Sequence, residues 1–282
     1  MRIGISLPVR ELRDDLGAIR EFAQEAEALG FTHLRVPDVV LRPGGSHLHE
    51  PMMLLAWIAA GTTRIELVPS VIVTPSRQTV LLAKQAAELD LLSGGRSRLG
   101  VGVGGSREEF AAMGADFGTR GARLEEQIEL MRALWNDEAV TFEGRWDSIP
   151  EGMALAPRPG QPIPIWIGAG RELTPRIAAR IGRLADGWFV LANPEDYAAQ
   201  AAEIDAARAS AGRPEGAVGA EASIAVAGDS GAGWEDRVRE WGQVGLTHAC
   251  VRTLGAGLEG EQHAAKMAEV ASQVAELSTQ LG

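Results

Sequence analysis

Three features of the sequence predict a closed (β/α)8 barrel of the TIM type. Eight short apolar runs alternate strictly with eight segments of helical period, and the length of 282 residues suits one barrel. No linker-like composition divides the chain, so a single domain over residues 1–282 is expected. The polar stretches that interrupt the alternation lie after the fourth strand and before the fifth, where insertions leave a barrel intact.

The elements follow in order. Ile3–Pro8 reads as the first strand, and Leu16, Ile19, Ala23, Ala26 and Leu29 form one helical stripe behind it. A strand at His33–Asp38 precedes a helix at Pro51–Thr62, and a strand at Arg64–Val73 precedes a helix at Arg77–Leu91. The fourth unit pairs Arg96–Gly104 with a helix over Gly121–Asn136, where Leu124, Ile128, Met131 and Trp135 share a face. After a polar, hairpin-like insertion at Val140–Gly152 come a strand at Pro162–Ala169, a helix from about Glu172 and a strand at Ala185–Leu191. A helix at Pro194–Ala211, a strand at Gly219–Ala227, a helix at Gly233–Val244, a strand at Thr247–Thr253 and a helix from Gly260 complete the alternation.

Composition narrows the function. A hydrophobic share of 45% supports a large core, and the net charge of −11 argues against a nucleic-acid surface or an anionic membrane as partner. The single Cys250 excludes an internal disulfide framework. Met1–Pro8 lacks the apolar core of a signal peptide, and no run reaches membrane-spanning length, so a cytoplasmic protein acting on a small molecule is expected.

The segment Arg98-Leu-Gly-Val-Gly-Val-Gly-Gly-Ser-Arg-Glu-Glu-Phe110 carries the sharpest signal. Alternate glycines empty one face of a strand, as expected where a ligand or another backbone approaches closely. Gly100, Gly102 and Gly105 satisfy G-x-G-x-x-G, but no helix opens at the last glycine and no acidic strand end follows about 20 residues on, so the dinucleotide reading fails on context. In a barrel, active sites gather at the C-terminal ends of strands. Those ends offer Ser6, Asp38, Ser70, Val71, Gly104 to Arg107 and Gly168 to Arg171, a set poor in catalytic side chains, which points to chemistry carried by a cofactor.

Several motifs then fall in a recognisable order: Val36-Pro-Asp38, Glu50-Pro51, Ala83-Lys-Gln85, Asp90-Leu-Leu-Ser-Gly-Gly-Arg96 and Leu99 to Gly104. Ser106 to Phe110, Arg120 to Glu126, Phe142-Glu-Gly144, Pro164-Ile-Trp-Ile-Gly168 and Ala185-Asp-Gly-Trp188 continue it. Together they resemble the luciferase-like monooxygenase superfamily, especially its branch dependent on the deazaflavin coenzyme F420. The resemblance implies a ring lying across the barrel mouth, with a phosphate held between Gly104, Gly105 and Ser106 on one side and Gly168, Ala169 and Gly170 on the other. It also implies a cis Ser70–Val71 peptide behind the ring, and a role for Asp38 against ring or substrate.

Other implications stay open. Relatives often follow the strand-two aspartate with histidine, where this chain has Val39, so His47 and His49 in the next loop become the alternative proton-transfer candidates beside Asp38. Gly105 stands where relatives often carry a larger residue. The resemblance supports F420-dependent hydride transfer to or from a small organic substrate; FMN with dioxygen and a separate flavin reductase, or a non-catalytic flavin-binding member, are the alternatives. A homodimer is compatible with it. Arg107, Arg171 and Arg252 are candidates for a phosphate or acidic tail, Glu108 and Glu109 for the start of a helix, and Trp166 and Trp188 for core packing. His33 and His248 open their strands at the opposite end and His263 lies on the last helix, so no metal site is expected.

Overall fold

A computed structural model describes residues 1–45, 47–170 and 172–281. The alternation folds as predicted. Strand β1 (Arg2–Ser6) is followed by a one-turn helix α1 (Val9–Leu12) and by α2 (Leu16–Ala28), which Asp15 caps by accepting the Ala18 N–H at 2.9 Å. Then come β2 (His33–Val36) and α3 (Pro51–Ala59), whose start combines a Glu50 cap with proline at its first position. The third barrel strand is broken into β3 (Glu66–Pro69) and β4 (Ile72–Val73), with α4 (Thr79–Ser93) behind it. Next are β5 (Leu99–Gly102), a short α5 (Arg107–Ala112) with Glu108 and Glu109 in its first turn, as expected, and α6 (Arg120–Asn136).

The insertion forms the antiparallel hairpin β6 (Val140–Glu143) and β7 (Ser148–Met153). The barrel resumes with β8 (Ile165–Gly168), α7 (Pro175–Leu184), β9 (Gly187–Val190), α8 (Pro194–Ser210), β10 (Gly219–Ala225), α9 (Trp234–Gln243), β11 (His248–Arg252) and α10 (Gln262–Gln280). The parallel sheet runs β3-β2-β1-β11-β10-β9-β8-β5-β4. It closes because both pieces of the third strand meet the fourth: Leu67 pairs Ser97, and Ile72 pairs Val101. The result is an eight-stranded barrel.

Leucine, isoleucine and valine fill the space between strands and helices, while the barrel lumen is different in kind. Val68, Trp166 and Phe189 form a small separate cluster inside it, with the Trp166 ring lodged against Gly187 and Gly219. Arg98 lies over that ring at 4.2 Å, and His33, Arg98 and Glu221 are all buried. Trp188, by contrast, stacks on Tyr197 in the outer layer, so both tryptophans are core residues on opposite faces of the sheet. At the N-terminal end of the barrel, Gly94 ends α4 in the left-handed conformation, and Arg96 bonds the carbonyls of Ser93, Ile65, Thr62 and Ala59. Asp90 accepts from Ser97 at 2.8 Å, which makes this motif a structural turn.

Candidate active site

The emptied face of β5 is filled by the third strand. A Cβ on Gly100 would run into the Pro69 carbonyl oxygen, one on Gly102 would lie 2.5 Å from Val71, and one on Gly104 would lie 2.5 Å from Val73. From the other side, a Cβ on Gly168 of β8 would lie 3.2 Å from Val71. Of the two expected occupants, a ligand or another backbone, the neighbouring strand is the one found here: the Pro69 carbonyl closes on Gly100, and Val71 seats itself between two glycine-bearing strands. The Ser70–Val71 peptide is cis, as expected. Gly105 alone of this group opens onto free space.

Asp38 is fully engaged. Its carboxylate accepts the Val73 N–H at 2.9 Å and both oxygens bond Arg77 Nη2 at 2.9 Å, while Arg77 Nη1 reaches Glu50 at 3.1 Å. The side chain thus ties the end of β2 to the segment after the bulge. Glu109 acts in a similar way, since it is buried and accepts the Val40 N–H at 2.7 Å, fixing the loop after β2 onto α5. The two histidines of that loop turn elsewhere. His47 pairs with Asp14 at 3.0 Å, and His49 donates to the Arg13 carbonyl at 2.7 Å. The structure therefore holds His47 and His49 together against the α1–α2 connection, with partners distinct from those of Asp38.

Ser106 caps α5. Its hydroxyl accepts the Glu109 N–H at 3.1 Å and donates to Glu108 at 3.0 Å, and the Glu108 carboxyl is lowered by its own backbone N–H and by this hydroxyl. The N–H groups of Gly104, Gly105 and Ser106 find no acceptor among the described residues. Across the mouth, Ala169 is buried and Gly170 lies beside Glu172; Arg171 lies outside the described residues.

Beside these loops a cleft of about 400 Å³ opens between the starts of α6 and α7 and the hairpin turn. Arg120, Arg145, Arg176 and Arg180 all line it. Arg120 lies over Phe117 at 3.8 Å with a buried Nε that has no partner, and Arg180 is held by Glu125 at 3.0 Å. Arg145 owes its place to Glu126, which accepts the N–H groups of Arg145, Trp146 and Asp147 at 2.7, 2.8 and 2.9 Å. Burial would raise the Glu126 carboxyl, but those three donors bring it below its ordinary value. These arginines escape recognition in the sequence because they come from three separated segments; the motifs at Arg120–Glu126 and Phe142–Gly144 hold or adjoin the relevant residues without showing that they meet.

A second pocket, of about 180 Å³, opens at the centre of the mouth and is lined by Ser6, Arg35, Ser70, Ser223 and Arg252, with Arg10 and Glu11 at its side. Beneath it, Arg35 forms an ion pair with Glu221 at 2.9 Å and lies over the Phe189 ring at 4.8 Å. Burial pushes Glu221 toward protonation, yet His33, Arg98 and Arg35 together hold it well below the ordinary carboxylate range. His248, half-buried near Arg98, is lowered to about 3 by burial and by that guanidinium, and neither it nor His33 lines the mouth pocket.

Fold and site together define a (β/α)8 barrel with a bulged third strand, a glycine-lined mouth and an arginine-lined cleft. The family model for luciferase-like monooxygenases matches residues 1–280, and the chain belongs to that family. An F420-dependent glucose-6-phosphate dehydrogenase of Kineococcus radiotolerans is 34% identical over 179 residues, which are 61% of this chain and 52% of that protein. An uncharacterised protein of Mycobacterium tuberculosis is 35% identical over 185 residues, covering 59% of this chain and 62% of its own length. The chain thus matches less than two thirds of the length of these relatives. An F420-dependent secondary alcohol dehydrogenase, solved with an F420–acetone adduct, superposes with a TM-score of 0.81 at 15% identity, over 96% of this chain and 97% of its own. The monooxygenase RslO1 of Streptomyces bottropensis gives 0.80 at 22%, over 96% and 98%, which extends the likeness of fold to a monooxygenase. Among the described residues no helix is long and apolar enough to cross a membrane.

Proposed function

We propose that this protein is an F420-dependent oxidoreductase that moves a hydride between the deazaflavin and a small organic substrate. The observation that carries the reading is the arginine cleft beside the glycine loops. One phosphate needs a few N–H donors, and Gly104 to Ser106 supply free amides for it, with the small residues Gly168 to Gly170 across the mouth leaving room. FMN ends at that phosphate. F420 continues into a glutamate-bearing tail, and Arg120, Arg145 and Arg176 offer that tail positive charge beyond the phosphate loops.

When bound, the deazaflavin supplies two-electron hydride chemistry. The chain's own part is to bind and orient. Val71 offers an apolar platform at the mouth, and Asp38 braces the segment after it through Val73 and Arg77. This reading gives Asp38 a positioning role and assigns proton transfer to neither His47 nor His49, whose ring nitrogens face Asp14 and Arg13.

The test is a fluorescence titration of the purified protein with F420 and, separately, with FMN. F420 is expected to bind more tightly, and Arg145→Ala with Arg176→Ala to weaken F420 about tenfold while leaving FMN unchanged, with the loss larger at low salt. Preference for FMN would overturn the proposal in favour of a monooxygenase supplied by a separate flavin reductase.

A further inference from the structure

The mouth pocket carries information about what it receives, independent of the arginine cleft. A serine hydroxyl has two acceptor lone pairs and one O–H. Arg35 donates to Ser70 Oγ twice, from Nε at 3.0 Å and from Nη2 at 2.6 Å, so both acceptor positions are taken. The remaining capacity of Ser70 is to donate, away from Arg35 and toward the pocket it lines. Arg35 cannot swing off, because Glu221 and the Phe189 ring hold the same guanidinium. Ser6, the neighbouring buried hydroxyl, is already paired with Cys250 at 3.3 Å. Ser70 is therefore a fixed donor in search of an oxygen.

Arg252 stands at the end of β11 in the same pocket. Among the described residues it has no carboxylate within ion-pair distance, and neither has Arg10. The Arg35 charge is matched by Glu221, and Glu11 offsets one of the other two, with one of its oxygens accepting the Gly255 N–H at 2.9 Å. One unit of positive charge is left over at the pocket wall. A guanidinium in a partly closed site is complementary to a carboxylate.

We propose that the pocket takes an oxo acid or hydroxy acid, with Ser70 donating a hydrogen bond to the carbonyl or hydroxyl oxygen and Arg252 pairing with the carboxylate. Arg35 acts as a positioning residue for Ser70. The inference rests on the oxidoreductase reading for its meaning as a substrate site, but the binding geometry stands on Ser70, Arg35 and Arg252 alone.

The experiment is calorimetric titration with 2-oxobutanoate and 4-oxopentanoate, each against its neutral ketone, butanone or 2-pentanone, using protein with and without saturating oxidised F420. At least one acid is expected to bind about tenfold more tightly than its ketone. Arg252→Gln removes that preference by weakening the acid alone. Ser70→Ala weakens acid and ketone by the same factor, since it touches the oxygen they share, and an unchanged thermal midpoint shows that the variant is folded. Equal affinity for acid and ketone, absence of acid binding, or a preference that survives Arg252→Gln would each overturn the proposal. F420 affinity measured on the same samples keeps the two ideas apart: its failure removes the F420 reading, while acid binding to the cofactor-free protein still decides the pocket.

Discussion

Glu27, near the end of α2, shows how one carboxylate can replace several turns of regular structure. It accepts the N–H groups of Arg64 at 2.6 Å and Ile65 at 2.8 Å, and both the N–H and the hydroxyl of Thr63. The loop leading into β3 is thereby hung on the preceding helix. Burial acts to raise this carboxyl, but the donors overcome it and lower it to about 2 from 4.5. Because the folded value lies below the unfolded one, the stabilisation is complete above pH 4.5 and is lost as the pH falls toward 2. Glu27→Gln is expected to cost about 1–3 kcal/mol at neutral pH, with the gap to wild type closing in acid. Urea denaturation at neutral and acidic pH checks this, and a gap independent of pH would show that the charge is not what holds the loop. Single-residue roles of this kind were the least legible part of the sequence. Asp38 could be singled out by its place at a strand end, but its partners Val73 and Arg77 are settled only by the path of the third strand. Glu109 looked like any acidic residue at a helix start, and nothing local shows that it reaches back to Val40.

At the level of elements, the third and fourth strands have to be understood as one object. Pro69 and Val71 project toward β5 where the strand is interrupted, and Gly100 and Gly102 are absent side chains that make room for them. The glycine pattern was plain in the sequence, and so was its meaning of close approach. The approaching partner was not, because a strand cannot be seen to bulge from its own residues, and a ligand explains emptiness as well as a neighbouring strand does. The difference is measurable. Gly100→Ala places a methyl against the Pro69 carbonyl, which backbone constraints keep in place, and Gly102→Ala places one against a Val71 methyl, which can be removed. Both single variants are expected to lose about 1–3 kcal/mol through overpacking. Adding Val71→Ala should recover much of the loss in Gly102→Ala and little in Gly100→Ala. A double-mutant cycle with no coupling between positions 71 and 102 would show that Val71 does not occupy that glycine face.

Over the whole molecule, the fold class was legible because the alternation of apolar runs with helical segments depends on local periodicity, whereas the contents of the barrel depend on closure. Arg98 and Glu221 sit in strands whose apolar neighbours gave no sign that they meet; closure brings them to 2.8 Å across 123 residues of sequence. Arg98 also reaches Glu66, and Arg35 and His33 close on Glu221 from β2, so four strands meet in one charged layer. Such a layer is costly to desolvate and gains stability only while its charges remain matched. Its arrangement has a functional side, because Glu221 holds Arg35 and Arg35 in turn holds Ser70 at the mouth. Glu221→Gln keeps the shape and deletes the charge, taking from Arg35 and the buried Arg98 the carboxylate they share. The expected loss is about 3–5 kcal/mol, larger than for either surface or loop positions. It should appear in chemical denaturation as a lower midpoint with an unchanged slope. A loss under about 1 kcal/mol would mean that water enters the lumen and screens the pair, and that the charged layer is not what keeps the barrel closed.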